Sequence, residues 1–420
     1  MSLWHIAWGY LWNRKLTTSL TVLSVALGVG LIYSVLTLRE ETRKRFEEEG
    51  QFFDVVVGAK GSPLQLVLSA LYFMDVPTGN IKLSDYDEIK KNEDVTAAYP
   101  ICMGDTYHGY RIVGTIPQLF DYMWTRASTG ETRQPFRLAQ GRVFEKPMEA
   151  VVGSAVARTE NLKLGDTFIG AHGYIELPAG MAAEDHSKFP YTVVGIMASS
   201  GTPNDRAIFC TMDSVWEVHG QHKETQPQQE GEHPKEASSM VTAVLVSLES
   251  PALRFQFVEY VNDTYNAMAT IPIQQIGNLY DSILGTAKSV LLAVGYLVVA
   301  ISAISILIGL YLSILQRKRD LAIMRALGAS AYEIVGSVLI EAFLVTVLGV
   351  AAGWLIGNVV AWSIGLYLQS RYGLSIGIFG MLTPEEIAAF STVGLVGIVA
   401  GIVPAWQAYR TDVARDLAEL

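Results

Sequence analysis

Four stretches of this chain are apolar, almost free of charge, and long enough as helices to cross the hydrocarbon core of a bilayer. They run from Leu16 to Leu38, Ser289 to Gln316, about Ile334 to Leu368, and Ile387 to Ala408. Residues from about 50 to 284 hold no such stretch. The pattern predicts one span, a large soluble region, and then three spans. Half of the 420 residues are apolar and 17% are charged, which fits a mixed membrane and soluble architecture.

Trp4, Trp8 and Trp12 recur at every fourth residue ahead of the first span and, with Leu11, predict an interfacial helix. Arg14 and Lys15 follow and put this end of the span in the cytoplasm. The apolar run is long for a signal peptide and no clean small-residue cleavage site follows, so an uncleaved span is expected. Ser24, Ala26, Gly28 and Gly30 offer a close helix contact. REETRKRFEEEG comes next, with opposite charges four apart at Glu41–Arg45 and Lys44–Glu48. It predicts that the first span continues as a solvated helical stalk.

The middle region mixes strand-like and helical runs, which predicts an α+β domain with one or two lobes. Expected strands are 54–57, 110–116, 150–152, 166–169, 191–197, 207–211 and 241–248; expected helices are 63–74, 84–91, 154–162, 212–219 and 251–268. The helix over 63–74 is apolar on more than one face. Either it is buried, or Leu64, Leu68, Leu71 and Phe73 form a surface that greets an apolar client. Residues 219–235 are polar and rich in Gln and Glu, so a solvated loop is expected there. Its His219, His222 and His233 sit on no scaffold, and no metal site is assigned. Cys102 and Cys210 permit one disulfide if this region is extracytoplasmic. Gly58–Ser62 lacks the ending and spacing of a P-loop, no Walker A motif occurs, and no catalytic motif is present. The net charge of −10 speaks against a nucleic-acid partner.

Between the second and third spans lies QRKRDLAIMRALGAS, residues 316–330. Arg317, Lys318, Arg319 and Arg325 place it on the cytoplasmic side. Leu321, Met324 and Leu327, with Ile323 beside them, predict a short amphipathic helix that Gly328 stops, and the next helix begins near Ser330. Such a helix, pinned between two spans, is a handle for a soluble partner. Glu341 lies within the third span. It is either an intramembrane functional group or a partner for Arg317 or Arg325. Gly349, Gly353 and Gly357 form a small-residue ladder in that span, and Gly394, Gly397 and Gly401 another in the fourth.

Asp320, Met324, Arg325, Ala326, Leu327, Gly328 and Ala329 together resemble the coupling segment of MacB/FtsX-type ABC transporter permeases. GRVFEKPMEAVVGSAVARTENLKLGDTF, residues 141–168, resembles the MacB-type periplasmic core domain. The opening of the first span and the ending around Pro404 are also similar to the family's, with Val413 where a proline is common. The resemblance implies an integral membrane protein with four transmembrane α-helices and a large α+β extracytoplasmic domain inserted between spans 1 and 2. The expected domains are 1–38 (interfacial helix and span 1), 39–285 (stalk and core domain) and 286–420 (spans 2–4 with the coupling helix 316–330).

The resemblance further implies a bacterial cytoplasmic (inner) membrane protein with both termini inside. A separate ABC ATPase would contact Arg317, Arg319, Asp320, Met324, Arg325 and Gly328. ATP and Mg would be carried by that partner and no cofactor by this chain. A second permease copy, a periplasmic adaptor or client protein, and membrane lipid complete the expected partners. The implied activity is ATP-driven motion of the outer domain that exports or extracts a hydrophobic, lipid-linked or peptide client. The alternative is an FtsX-like regulator that controls a periplasmic partner and transports nothing.

Overall fold

The computed structural model describes residues 3–126, 130–172, 185–221, 240–316, 318–372 and 382–409. The chain divides into two compact units: residues 1–41, 283–366 and 376–420, and residues 42–282 and 367–375.

Helix α1 (Leu3–Asn13) leaves Trp4, Trp8 and Trp12 exposed and buries Ala7 and Leu11 beside them. Helix α2 (Lys15–Gly50) holds the first span and the charged run after it in one piece of 36 residues. No glycine or proline interrupts it between Gly30 and Gly50, and Leu, Arg, Glu and Lys are good helix formers.

The outer unit begins with β1 (Val55–Gly58), α3 (Pro63–Tyr72), α4 (Leu83–Ile89), β2 (Val95–Tyr107), β3 (Tyr110–Thr115) and β4 (Leu138–Gly141). It continues with β5 (Glu149–Val152), α5 (Ser154–Thr159), β6 (Thr167–His172), β7 (Asp185–Met197), β8 (Ile208–Thr211) and α6 (Met212–Gln221). It ends with β9 (Ala243–Leu248), α7 (Arg254–Thr264), β10 (Met268–Thr270) and α8 (Pro272–Leu279). The strands run in the order β10-β1-β9-β2-β3-β8-β5-β7-β4, and β6 pairs with both β7 and β2. That double pairing closes β2, β3, β8, β5, β7 and β6 into a ring.

Strand β2 is the hinge between two lobes. Its residues 95–101 pair with β9, and residues 102–107 pair with β3 inside the ring. Successive residues go to opposite faces, as a strand requires. Val55, Ile112, Cys210 and Val244 enter one apolar cluster, and their neighbours Val56, Val113, Phe209 and Leu245 enter another. Both faces are therefore dry, so these strands read as continuous apolar runs.

Two expectations fail here. No strand is expected over 95–107, yet β2 pairs with three others, β9, β3 and β6. The helix expected over 251–268 stops at Thr264, and Met268 already belongs to β10.

The stretch that resembles the core-domain motif has a structural reason at each position. Gly141 has φ +78, and a Cβ there would collide with the Val194 carbonyl. Phe144 is fully buried. Gly165 turns the chain at φ +90, and the Asp166 carboxylate accepts from the Lys163 N–H at 2.8 Å. Arg142 donates to Glu149 through Nη1 at 2.8 Å and Nη2 at 2.5 Å. Glu149 also accepts from the N–H groups of Glu145 and Lys146, which fixes the turn between β4 and β5.

The Arg142 bonds, aided by those N–H groups, hold the Glu149 carboxyl down at about 2 against an ordinary 4.5. A depressed carboxyl stabilises the fold above its ordinary value, and that stability is lost as pH falls from there through about 2. Arg142 is half exposed, so solvent limits the contribution to about 1 kcal/mol. Glu149→Gln should therefore flatten the acid limb of urea unfolding between pH 5 and 2 by about that amount. Identical acid limbs in both proteins would show that the clamp is energetically silent.

The chain closes with α9 (Gly285–Gln316), α10 (Lys318–Ala326), α11 (Ala331–Tyr372) and α12 (Pro384–Tyr409). Among the described residues, four helices are long and apolar enough to cross a membrane: α2, α9, α11 and α12.

Candidate functional site

The segment joining α9 to α11 is built by two helix caps. Ala329 N–H bonds to the Met324 carbonyl at 2.9 Å, and Gly328 N–H to that of Arg325 at 3.1 Å. With Gly328 at φ +103, this is the Schellman ending, in which the residue after the cap must be left-handed. Gly328 thus has a backbone role. Ser330 and Glu333 then cap α11 reciprocally: Ser330 N–H donates to Glu333 Oε2 at 2.7 Å, and Glu333 N–H to Ser330 Oγ at 3.3 Å.

Helix α10 is anchored by Leu321, which is buried with Ile314, Ile334, Val338 and Ala405. The sequence groups Leu321, Met324 and Leu327 in one apolar stripe, but the structure separates them. Met324 and Arg325 are half-buried, while Leu327 is 84% exposed. Ile323, one helical turn before Leu327, is 41% exposed and gives it apolar company, while Tyr332, 78% exposed, sets its ring 6.0 Å from that of Tyr409. Tyr332 is a residue that sequence periodicity did not single out. Arg317 lies outside the described residues, as do the side chains of Arg319 and Asp320.

The glycine ladders are points of close helix contact. A Cβ on Gly349 would lie 2.6 Å from Val25 Cβ, one on Gly353 2.6 Å from Val29 Cβ, and one on Gly357 2.7 Å from Tyr33 Cδ1. All three contacts join α11 to α2. Gly28 approaches Val299 of α9, and Ser24 Oγ meets Ser302 Oγ at 3.0 Å. In α12, Gly397 abuts Thr346 and Gly401 abuts Ala342, whereas Gly394 has nothing within 4 Å and makes no close contact.

Glu341 is buried and accepts from Ser313 Oγ at 3.4 Å. The small cavity beside it, about 30 Å³, is lined by Arg14, Thr17, Thr18 and Thr21. Among the described residues its surroundings include Arg14 and α2; Arg317, which the sequence offers with Arg325 as a partner, lies outside them. At the other end of the spans, Lys288 pairs with Glu385 at 2.8 Å, and Thr37 Oγ1 donates to Glu386 at 2.7 Å. Nothing in the sequence marks these partners, because they are more than ninety residues apart.

Helix α3 is a core helix. Leu66, Val67, Ala70, Leu71 and Tyr72 are buried beside Phe52 and Phe53, while Leu64, Leu68 and Phe73 are half-buried. Leu71, at 9% exposure, has no surface to offer a client. Cys102 and Cys210 are both free and buried. Each is the register partner of Gly114, from opposite sides of β3. Two strand spacings separate them, about 9.6 Å, beyond the span of about 7 Å that a disulfide bridges. His219 lies on α6, whereas His222 and His233 fall outside the described residues.

The MacB-like periplasmic core domain family matches residues 18–264, and the FtsX-like permease C-terminal family matches residues 292–413. The chain belongs to the MacB/FtsX-type ABC transporter permeases. Its relatives include the macrolide export ATP-binding/permease protein MacB of Nitrosomonas europaea, 24% identical over 412 residues, covering 97% of this chain and 57% of the relative. The pyoverdine export ATP-binding/permease protein PvdT of Pseudomonas fluorescens is 22% identical over 441 residues, covering 97% and 57%. This MacB-family chain thus spans just over half the length of these curated relatives. The crystal structure of the periplasmic region of MacB from Actinobacillus actinomycetemcomitans aligns with a TM-score of 0.31 and 12% identity, covering 56% of this chain and 95% of that one. As in the family, four apolar helices bracket an α+β periplasmic core domain inserted after the first.

Proposed function

We propose that this MacB-family chain couples a separate ABC ATPase, docked on residues 316–330, to movement of its outer domain, and so drives export or extraction of a hydrophobic, lipid-linked or peptide client. The observation that carries this is the exposure of Leu327 and of Ile323, one helical turn before it, on a segment closed at its C-terminal end by two helix caps and anchored by Leu321. An 84% exposed leucine on a rigid, basic segment is a docking knob for a partner pocket. Pushing on α10 moves Leu321, and with it the inner ends of α9, α11 and α12. Helix α2 begins in the membrane unit and ends in the outer one without a break, a stiff path for that motion.

In this reading the chain sits in the cytoplasmic membrane with both termini inside and pairs with a second permease copy. ATP and Mg are bound by the partner. Macrolide and pyoverdine export by the named relatives makes an amphiphilic client reasonable. The half-buried Leu64, Leu68 and Phe73 are the remaining candidates to meet one.

The test is affinity capture of the tagged chain in mild detergent, with mass spectrometry and an ATPase assay. An ATPase should co-purify with the wild-type chain and fall at least tenfold with Leu327→Asp/Arg325→Glu. If none is captured in several detergents, or the variant retains it fully, the docking argument is wrong and a regulator without an ATPase takes its place. With an ATPase present, capture of a stoichiometric periplasmic protein without any export defect would favour the FtsX-like regulator.

A further inference from the structure

An open groove of about 610 Å³ lies between α1, α2 and α11, and neither the coupling segment nor the glycine contacts use it. Ser19, Val22 and Ala26 line one wall along one face of α2; Leu348, Ala352 and Ile356, four residues apart, line the other. Trp8, Trp12 and Lys15 close one end, with the Lys15 ammonium 5.2 Å from the centre of the Trp12 ring. The groove is thus apolar along its length and cationic at a single end, the polarity of an anionic amphiphile.

We infer that this groove holds one anionic diacyl phospholipid, with its hydrocarbon chains against Ala26 and Ala352 and its phosphate at Lys15. Charge decides between a lipid and a second copy of the chain. From Lys15 to Ala26 the wall is about 16 Å long at the helical rise, close to half of a hydrocarbon core about 30 Å thick. The charge-free runs 16–38, 289–316 and 387–408 of a second copy would bring no anion to the Lys15 ammonium at the end of the groove, and Glu341 is buried, whereas a lipid phosphate meets that ammonium at headgroup level. Indole rings and a lysine at one end are the groups that sit at headgroup level. The inference goes beyond the coupling function and rests on it only for the leaflet, which the basic flank of the first span makes the cytoplasmic one. The lipid here is a resident of the fold rather than its cargo.

The full chain, reconstituted into nanodiscs of phosphatidylglycerol and phosphatidylethanolamine and re-extracted, is analysed by native mass spectrometry. One lipid should be retained per chain, with phosphatidylglycerol favoured at least fivefold. Ala352→Leu, which fills the groove, should cut retention at least fivefold. Lys15→Gln, which adds no bulk, should abolish the headgroup preference while a lipid is still retained, and it decides the matter if Ala352→Leu does not fold. Unchanged retention in Ala352→Leu, or no preference in the wild-type chain, overturns the inference. So does a lipid-free wild-type dimer that Ala352→Leu dissociates, which would assign the groove to a second copy. Lipid counting needs no ATPase, so its failure is separate from a failure of the coupling reading.

Discussion

Gly353→Val should dismantle the membrane bundle. A Cβ at this position lies 2.6 Å from Val29 Cβ and 2.8 Å from the Ala26 carbonyl oxygen, and the latter belongs to a helical backbone that cannot step aside. Water gives no drive to bring helices together in lipid, so α2 and α11 are held by close van der Waals contact and the polar bonds it permits. Those bonds are Tyr33 Oη to Asn358 Oδ1 at 3.2 Å and Ser34 Oγ to the Gly357 carbonyl at 3.2 Å. Separating the helices by one side chain breaks the seam and leaves the buried Asn358 short of its partner. The combined cost is about 3 kcal/mol or more. The melting temperature in mild detergent should fall by roughly 6–12 °C. Gly394→Val, in a span but with nothing within 4 Å, should leave it unchanged. Equal melting temperatures for both variants would refute the close-contact account.

Gly153→Val should unfold much of the outer domain while the spans survive. Gly153 has φ −63, an ordinary value, so the demand is for space alone. A Cβ there would overlap the Asp205 carbonyl and lie 2.6 Å from the Asn204 carbonyl oxygen. That loop cannot withdraw cheaply. The buried Asp205 carboxylate accepts from Ser200 N–H at 2.9 Å, Ser200 Oγ at 2.9 Å, Gly201 N–H at 2.9 Å and Ser199 Oγ at 3.3 Å. The clash therefore falls on β5 and β8, whose pairing it disrupts at a cost of about 3 kcal/mol or more. Hydrogen exchange on the full chain should show peptides from 147–172 and 185–211 losing at least tenfold protection, with α9 and α11 unchanged. Protection retained across β5 and β8 would mean that the loop moves after all.

The two variants act in parts of the chain that differ in how openly the sequence declares them. The spans, the unbroken helix α2 and the ladder Gly349–Gly353–Gly357 are visible because charge-free length and four-residue spacing are local properties. Strand β2 hides because its signals conflict. It carries Pro100 and Gly104, both breakers within a strand, and it is buried on both faces over much of its length, so no alternation shows. The structure explains the glycine, because Gly104 leaves room for the His219 ring. In the coupling segment, periodicity tells which residues share a face but not what covers it. Leu321 and Leu327 look alike in sequence, and only the ends of three spans, distant along the chain, separate a buried side chain from an exposed one.

The buried cysteines have a practical consequence. Burial pushes the Cys102 thiol up to about 12, and Cys210, enclosed beside it, higher still. Neither forms an appreciable thiolate near neutral pH, and the thiolate is the form that attacks a maleimide. To such a reagent the native outer domain is a blank background. A single cysteine placed at an open position, such as Phe255→Cys at a site 69% exposed, would carry a fluorophore or spin label with no prior removal of native thiols, and its distance to a second label would test the domain movement proposed above.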